Sequence, residues 1–166
     1  MKSLPEFLAY QNPYIVKEFQ RKNPQYNLSD VEAQTVFEDM LRYLWLTGIF
    51  EVRKKNHPKE KYPDISISES MIIIDEMWHE FILVTEYYVD FCEKYYGTYL
   101  HHPPAMPRFA ANRKTLTEEE CMEIFIEELM AAVYDELGED VTLRWFSEYH
   151  KYLPDNYAEE MSHHHA

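Results

Sequence analysis

The sequence predicts an all-α fold, a compact bundle of about five helices. Three glycines are few for 166 residues, and a sheet with many tight turns would need more of them. Apolar residues make up 46% of the chain and aromatic residues 16%, enough to fill a core without disulfides. Apolar residues also recur at three- and four-residue spacing behind helix-capping motifs. No repeat or linker divides the chain, so residues 1–162 are expected to form a single domain, followed by a His-rich tail or tag remnant at 163–166.

The first predicted helix begins at Asn12-Pro13. Asparagine is a favoured N-cap, and proline suits the first helical position because its missing N–H would have no partner there. The helix is expected to end before Asn23-Pro24, because a residue that precedes proline avoids the α region.

A second helix is predicted behind Ser29. Ser29 and Glu32 form the S-x-x-E capping box, and apolar residues follow on one helical face. Gly48 is expected to weaken this helix, which then frays towards Arg53. Residues 54–68 are interpreted as a loop with at most one short extended bridge.

The third helix, about 69–96, is predicted to be the central, aromatic-rich member of the bundle. Gly97 ends it, since glycine readily adopts the left-handed C-cap conformation, and residues 98–115 form an irregular connection. Thr117 and Glu120 then give another capping box. It opens a fourth helix that extends to Leu137, and a fifth covers about 140–152 and ends at Pro154.

Charge excludes several functional classes. The net charge is −14, with ten Lys/Arg against eight Asp/Glu in residues 1–63 and six against twenty-two in residues 64–166. Such a surface repels nucleic acids and anionic membranes and suits a basic partner or cations.

The N-terminus lacks a signal-peptide core, no apolar run approaches the roughly 20 residues of a membrane span, and two cysteines make no disulfide framework. A cytoplasmic location is therefore expected.

The third helix carries the candidate site. Asp75 and His79 lie one turn apart at the edge of the apolar face. Glu86 lies on the same narrow strip of the helix surface, two turns after His79. This pair could ligate a metal ion such as zinc or iron, or Asp75 could orient His79 for proton transfer. The alternative is a solvated surface pair. Glu76 and His79 also match the E-x-x-H motif of di-iron bundles, but no second copy completes that pattern.

The doublet His101-His102 is expected to form a separate site. A straight helix from residue 79 to residue 96 would carry His79 too far from His101 for one ion to bind both. Cys92 and Cys121 could join the doublet in a tetrahedral zinc site. In the alternative, the histidines cap the helix end and the cysteines are buried as small apolar residues.

One stretch resembles a known family. Its matching residues are Asp75, Trp78-His79, Ile82-Leu83, Tyr88, Cys92, Gly97 and His101-His102-Pro103. They resemble the helical region of the glycine-rich domain-containing proteins of plants and their short bacterial relatives. The plant form often has a second histidine at the position of Phe81, a residue that this chain shares with the bacterial form, and the chain lacks the glycine-rich tail. The resemblance implies a shared fold and a motif centred on His79, without implying a reaction.

The leading hypothesis is a helical protein with a polar or metal-binding site centred on Asp75 and His79. The reaction, if the protein is an enzyme, is left open. The rival hypothesis is a protein-interaction module whose acidic C-terminal half binds a basic partner. An acidic mimic of nucleic acid fits the charge but not the aromatic third helix.

Overall fold

The computed structural model describes residues 1–102 and 116–153, and every regular element in those ranges is helical. The prediction of an all-α fold is confirmed, with seven α-helices in the described ranges instead of about five. They are α1 (Leu4–Leu8), α2 (Pro13–Lys22), α3 (Asp30–Asn56), α4 (Ile72–Leu83), α5 (Thr85–Tyr96), α6 (Glu118–Leu137) and α7 (Glu139–Phe146). Short 3₁₀ turns cover Pro24–Tyr26, Glu69–Met71 and Glu148–Tyr152. None of the described helices is both long and apolar enough to cross a membrane.

The predicted capping motifs begin three of these helices. The Asn12 side chain accepts a hydrogen bond from Ile15 N at the start of α2. The Ser29 hydroxyl accepts from Glu32 N at the start of α3, while the Glu32 carboxylate accepts from Ser29 N. The box at Thr117 starts α6 in the same reciprocal way. Each motif supplies an acceptor to a backbone N–H that the helix itself leaves without a partner.

The prediction of one continuous third helix over about 69–96 is wrong, because the chain forms two helices, α4 and α5, over that stretch. The helix breaks at Val84, whose backbone (φ −92°, ψ 67°) leaves the helical region. Val84 N bonds back to Phe81 O, and α5 begins at the next residue. The Phe81 ring then packs against the rings of Tyr88 and Phe91, each with centroids 5.2 Å away. Neither glycine nor proline marks the break, so tertiary packing, and not a local stop signal, accompanies the change of direction.

Three smaller differences concern the other helices. α1 was not predicted. α3 continues through Gly48 to Asn56. A side chain at position 48 would collide with the Tyr96 ring, so glycine there allows a close approach between α3 and α5. The predicted fifth helix ends at Phe146, and a 3₁₀ turn replaces its last part. Pro154, the predicted stop, and the tail at 163–166 lie outside the described residues.

Helices α3 and α4 form the centre of the bundle. α3 packs against α1, α2, α4 and α6, and α4 packs against α2, α3 and α5. A fully buried carboxylate, Asp39 on α3, anchors the C-terminal part of the described chain. It accepts hydrogen bonds from Arg144 at 2.6 and 2.8 Å, from the Tyr149 hydroxyl at 2.6 Å and from Arg42 at 2.9 Å. α7 and the turn after it are thereby fixed on α3.

Candidate metal centre

Helix α4 places the predicted pair on one face. Asp75 lies in the first turn of α4, where the helix dipole favours a negative charge, and it is 4% exposed. His79 lies one turn further on, with its side chain 54% exposed. Its Nδ1 is 3.7 Å from Asp75 Oδ2. The predicted pair therefore exists, with the carboxylate inside and the imidazole at the surface.

His102 joins this pair. Its Nε2 lies 2.9 Å from Asp75 Oδ1, at hydrogen-bond distance, and its side chain is 14% exposed. The rings of His79 and His102 stack with centroids 4.5 Å apart. The prediction that the doublet lies too far from His79 to share an ion rests on a straight helix between them. The helix breaks at Val84, and His102 consequently lies beside His79. His101 stays outside the group, exposed and packed against the Tyr99 ring.

A short chain of hydrogen bonds fixes the segment that carries His102. Gly97 ends α5 with φ +74°, the left-handed conformation that glycine tolerates. The Tyr88 hydroxyl accepts from Trp78 Nε1 at 3.1 Å and donates to Leu100 O at 2.7 Å. The Trp78 ring also lies 4.0 Å from the His102 ring, centroid to centroid. Two aromatic residues of the sequence motif therefore hold His102 beside Asp75.

The three side chains can present their ligand atoms to a common point. Asp75, His79 and His102 each offer an atom, and these atoms lie within 4.8 Å of one another. No other group of three or more His, Cys, Asp or Glu residues meets this condition in residues 1–102 and 116–153. Ligands about 2.1 Å from a tetrahedral zinc ion lie about 3.4 Å apart. The separations from Asp75 are 2.9 Å, from Oδ1 to His102 Nε2, and 3.7 Å, from Oδ2 to His79 Nδ1, and they lie on either side of that value. The three side chains are of the kinds that hold zinc or iron, and their spacing is compatible with a shared ion.

The other predicted ligands do not join the group. Glu86 is exposed on α5. Cys92 and Cys121 are free and buried, and they form no group of three with the histidine doublet. The four-ligand zinc arrangement is therefore not assembled among the described residues. Burial raises the pKa of the Cys92 thiol, as expected for a buried apolar cysteine.

Glu76 and His79, the two residues of the E-x-x-H match, contact different groups in the structure. Glu76 accepts a hydrogen bond from the Tyr26 hydroxyl at 2.7 Å, and it is not a member of the group that contains His79. The di-iron reading of that motif therefore has no support in the described residues.

A cavity of about 570 Å³ adjoins the group. Asp75, Trp78 and His102 form one part of its wall, and His79 is not among its lining residues. The segment 62–67 forms another part, held in place because the Tyr43 hydroxyl donates to Ile65 O at 2.8 Å. No sequence pattern indicated this cavity, since residues 54–68 contain only turn signals and one short apolar alternation.

The UCP032817-like family model matches residues 7–124, well over half of the chain. The chain belongs to this family. The match to the UCP032817-like family includes Asp75, His79 and His102, and the family description states no activity. No curated protein and no solved structure matches the chain. These comparisons do not test the resemblance to glycine-rich domain-containing proteins, which stays an expectation.

Proposed function

We propose that Asp75, His79 and His102 bind one divalent transition-metal ion, either zinc or iron(II). The convergence of two imidazoles on one buried carboxylate supports this proposal. His102 Nε2 lies 2.9 Å from one carboxylate oxygen, and His79 Nδ1 lies 3.7 Å from the other. A solvated surface pair would not need a second histidine from a distant part of the chain. The resemblance to glycine-rich domain-containing proteins, which stays an expectation, would also centre a motif on His79.

The ligand set indicates which ions fit. Imidazole suits zinc and iron, and two histidines with one carboxylate form both the three-ligand zinc sites of hydrolases and the facial triad of iron(II) oxygenases. Structural zinc sites usually close with four protein ligands, whereas catalytic sites keep an open position. Three protein ligands therefore favour a site with room for water or substrate. An ion held here would supply Lewis acidity in the zinc case or redox chemistry in the iron case.

The residues around the group have defined roles in this proposal. Asp75 and His102 also line the cavity, so a molecule in the cavity would reach the open side of the site. His79 approaches from the solvent side, where its ring covers the His102 ring. Trp78 and Tyr88 position the His102 segment through their hydrogen bonds. Such outer contacts orient metal ligands and tune their affinity.

Metal content tests the proposal. The protein would be prepared without residues 163–165, whose histidines could bind metal, and analysed by inductively coupled plasma mass spectrometry. We expect near-stoichiometric zinc or iron in the wild type and in His101→Ala, the matched control one residue from the site. His79→Ala and His102→Ala should lose it. Equal metal content in all four proteins, or no metal in the wild type after growth in supplemented medium, would refute the proposal.

Helix α6 supports a second candidate function, a protein-interaction module with a basic partner. Its 20 residues contain eight Glu/Asp and no Lys/Arg. Met122, Met130 and Tyr134 recur on it at multiples of four residues and are 39%, 37% and 54% exposed. Acidic residues beside exposed methionines suit a basic amphipathic helix. A fluorescent basic amphipathic peptide should bind the wild type and lose affinity for Met122→Ser/Met130→Ser, while equal affinity for both proteins would dismiss this function.

A further inference from the structure

The cavity beside the metal group has the size and walls of a small-molecule site. Its volume of about 570 Å³ lies within the roughly 300–1,000 Å³ that ligand pockets occupy. Five Phe, Tyr and Trp rings contribute to its lining, and they come from α3, α4 and the two segments that follow α3 and α5. They are Tyr43, Phe50, Tyr62, Trp78 and Tyr99. An apolar or aromatic body could therefore be buried in it.

The acidic side chains that line the cavity differ in whether a basic side chain lies beside them. Lys54 is the one lysine among the described residues of the lining, and it lies 3.0 Å from Glu51 and pairs with it. Asp75 has His102 at 2.9 Å. Asp64 accepts a hydrogen bond from the Ser66 hydroxyl at 2.6 Å, and no ion pair forms with it among residues 1–102 and 116–153. Among the described residues, Asp64 is therefore the lining carboxylate that has no basic side chain within ion-pair distance.

The backbone at Asp64 is held next to Tyr43, one of the aromatic residues that line the cavity. Asp64 precedes Ile65, whose carbonyl accepts from the Tyr43 hydroxyl, so its backbone is fixed against α3. Burial raises the pKa of Tyr43, and the negative charges of Asp75 and Asp64 add to that rise. Both carboxylates thus act on the same buried hydroxyl, although only Asp75 belongs to the metal group.

We propose that this cavity binds a small organic amine, with its ammonium group on Asp64 and its apolar body between the aromatic rings. An ammonium gains a charge-assisted hydrogen bond from a carboxylate and is attracted to the faces of aromatic rings. A carboxylate ligand would be repelled by Asp64, and a neutral ligand would lack the ion pair. The proposal does not rest on metal binding, because Asp64 and Tyr43 are not ligands in the metal group.

Three probes of similar size and different charge test this site. They are phenethylamine, 2-phenylethanol and phenylacetate, each titrated into ¹⁵N-labelled protein treated with a chelator. We expect the amine to shift the amide signals of Thr47, Phe50 and Ser66, which line the cavity. It should bind about tenfold or more tightly than the alcohol, as a charged hydrogen bond predicts, and phenylacetate should bind most weakly.

Variants of Asp64 test whether its negative charge binds the ammonium group of the amine. Asp64→Asn keeps the acceptor for Ser66 and should bind the amine no better than the alcohol, while Asp64→Glu should restore at least part of the preference. Asp90→Asn, an exposed site on α5 outside the cavity, should behave as the wild type. The proposal is overturned if the folded wild type binds the alcohol as tightly as the amine, if Asp64→Asn keeps the full preference, or if no cavity amide moves at saturation.

The same titration in His79→Ala separates this proposal from the metal site. Amine binding there should equal that of the wild type, since His79 does not line the cavity. A protein that binds the amine but no metal would refute only the metal proposal. One that binds metal but no amine would refute only this inference.

Discussion

Tyr88→Phe removes a single hydroxyl group and tests how the fold positions the site. The substitution keeps the ring, which is 1% exposed and packs against Phe81. It deletes two hydrogen bonds, one accepted from Trp78 Nε1 and one donated to Leu100 O. The first loss leaves the indole N–H of a side chain that is 3% exposed without its partner. The second releases the backbone two residues before His102.

The expected magnitude follows from these two losses. A buried donor left without a partner costs about 1–3 kcal/mol. The Leu100 carbonyl is half-buried and can turn to water, so its loss adds about 0.5–1 kcal/mol. We therefore expect Tyr88→Phe to lower the free energy of unfolding by about 2–3 kcal/mol. Because outer contacts orient metal ligands, zinc affinity should also fall by about tenfold.

Urea unfolding followed by circular dichroism measures the first effect, and competition with a chromophoric zinc chelator measures the second. Tyr87→Phe is the matched control, since this neighbouring tyrosine is 44% exposed and should change stability by less than about 0.5 kcal/mol. If Tyr88→Phe is as stable as Tyr87→Phe, the hydrogen bonds of the Tyr88 hydroxyl do not stabilise the fold as expected. A loss of stability with unchanged zinc affinity would show that the Tyr88 bonds do not position His102.

Three further predictions concern stability. Asp39→Ala should lower the free energy of unfolding by about 3–5 kcal/mol, because it leaves the Arg144 charge without its buried partner; a loss below about 1 kcal/mol in urea unfolding would contradict this role. Gly48→Ala should cost about 1–2 kcal/mol despite the higher helix propensity of alanine, because the new Cβ would lie 2.7 Å from the Tyr96 ring, and an unchanged or higher melting temperature would refute this. Burial raises the pKa of the Cys92 thiol above its ordinary 9.0, so the folded state holds this proton more tightly than the unfolded state does. This contribution to stability is present below pH 9 and is lost as the pH rises through the folded pKa. Cys92→Ser should therefore show a shallower loss of stability between pH 8 and pH 10.5, and an equal slope in both proteins would count against the shift.

Local signals in the sequence predicted three of the seven described helix starts correctly. Asn12, Ser29 and Thr117 each cap a helix in the structure, because an N-cap needs only a side-chain acceptor within three residues of a free N–H. The pairing of Asp75 with His79 was also predictable, since residues four apart share a helical face. Whether an ion is bound there stays a prediction.

Tertiary contacts decided the features that the sequence did not reveal. The break at Val84 has no glycine or proline signal, and the packing of Phe81 on the rings of α5 accompanies it. Without that break, His102 could not be placed beside Asp75, so the third member of the group was assigned to another site. The cavity depends on the bond between Tyr43 and Ile65, 22 residues apart, which no local pattern encodes. Long-range contacts of this kind are invisible to spacing arguments.

Cobalt(II) titration most directly tests whether Asp75, His79 and His102 form a single centre. Cobalt(II) substitutes for zinc or iron(II), and its visible absorption reports protein ligands directly. The wild type without residues 163–165 and His101→Ala should both bind about one equivalent, with the absorption of a histidine-ligated ion. Asp75→Asn and His102→Ala should lose that absorption while keeping their helical circular dichroism. If His102→Ala gives the wild-type spectrum and affinity, or if the wild type gives only the spectrum of hydrated cobalt, the three residues do not form a metal centre.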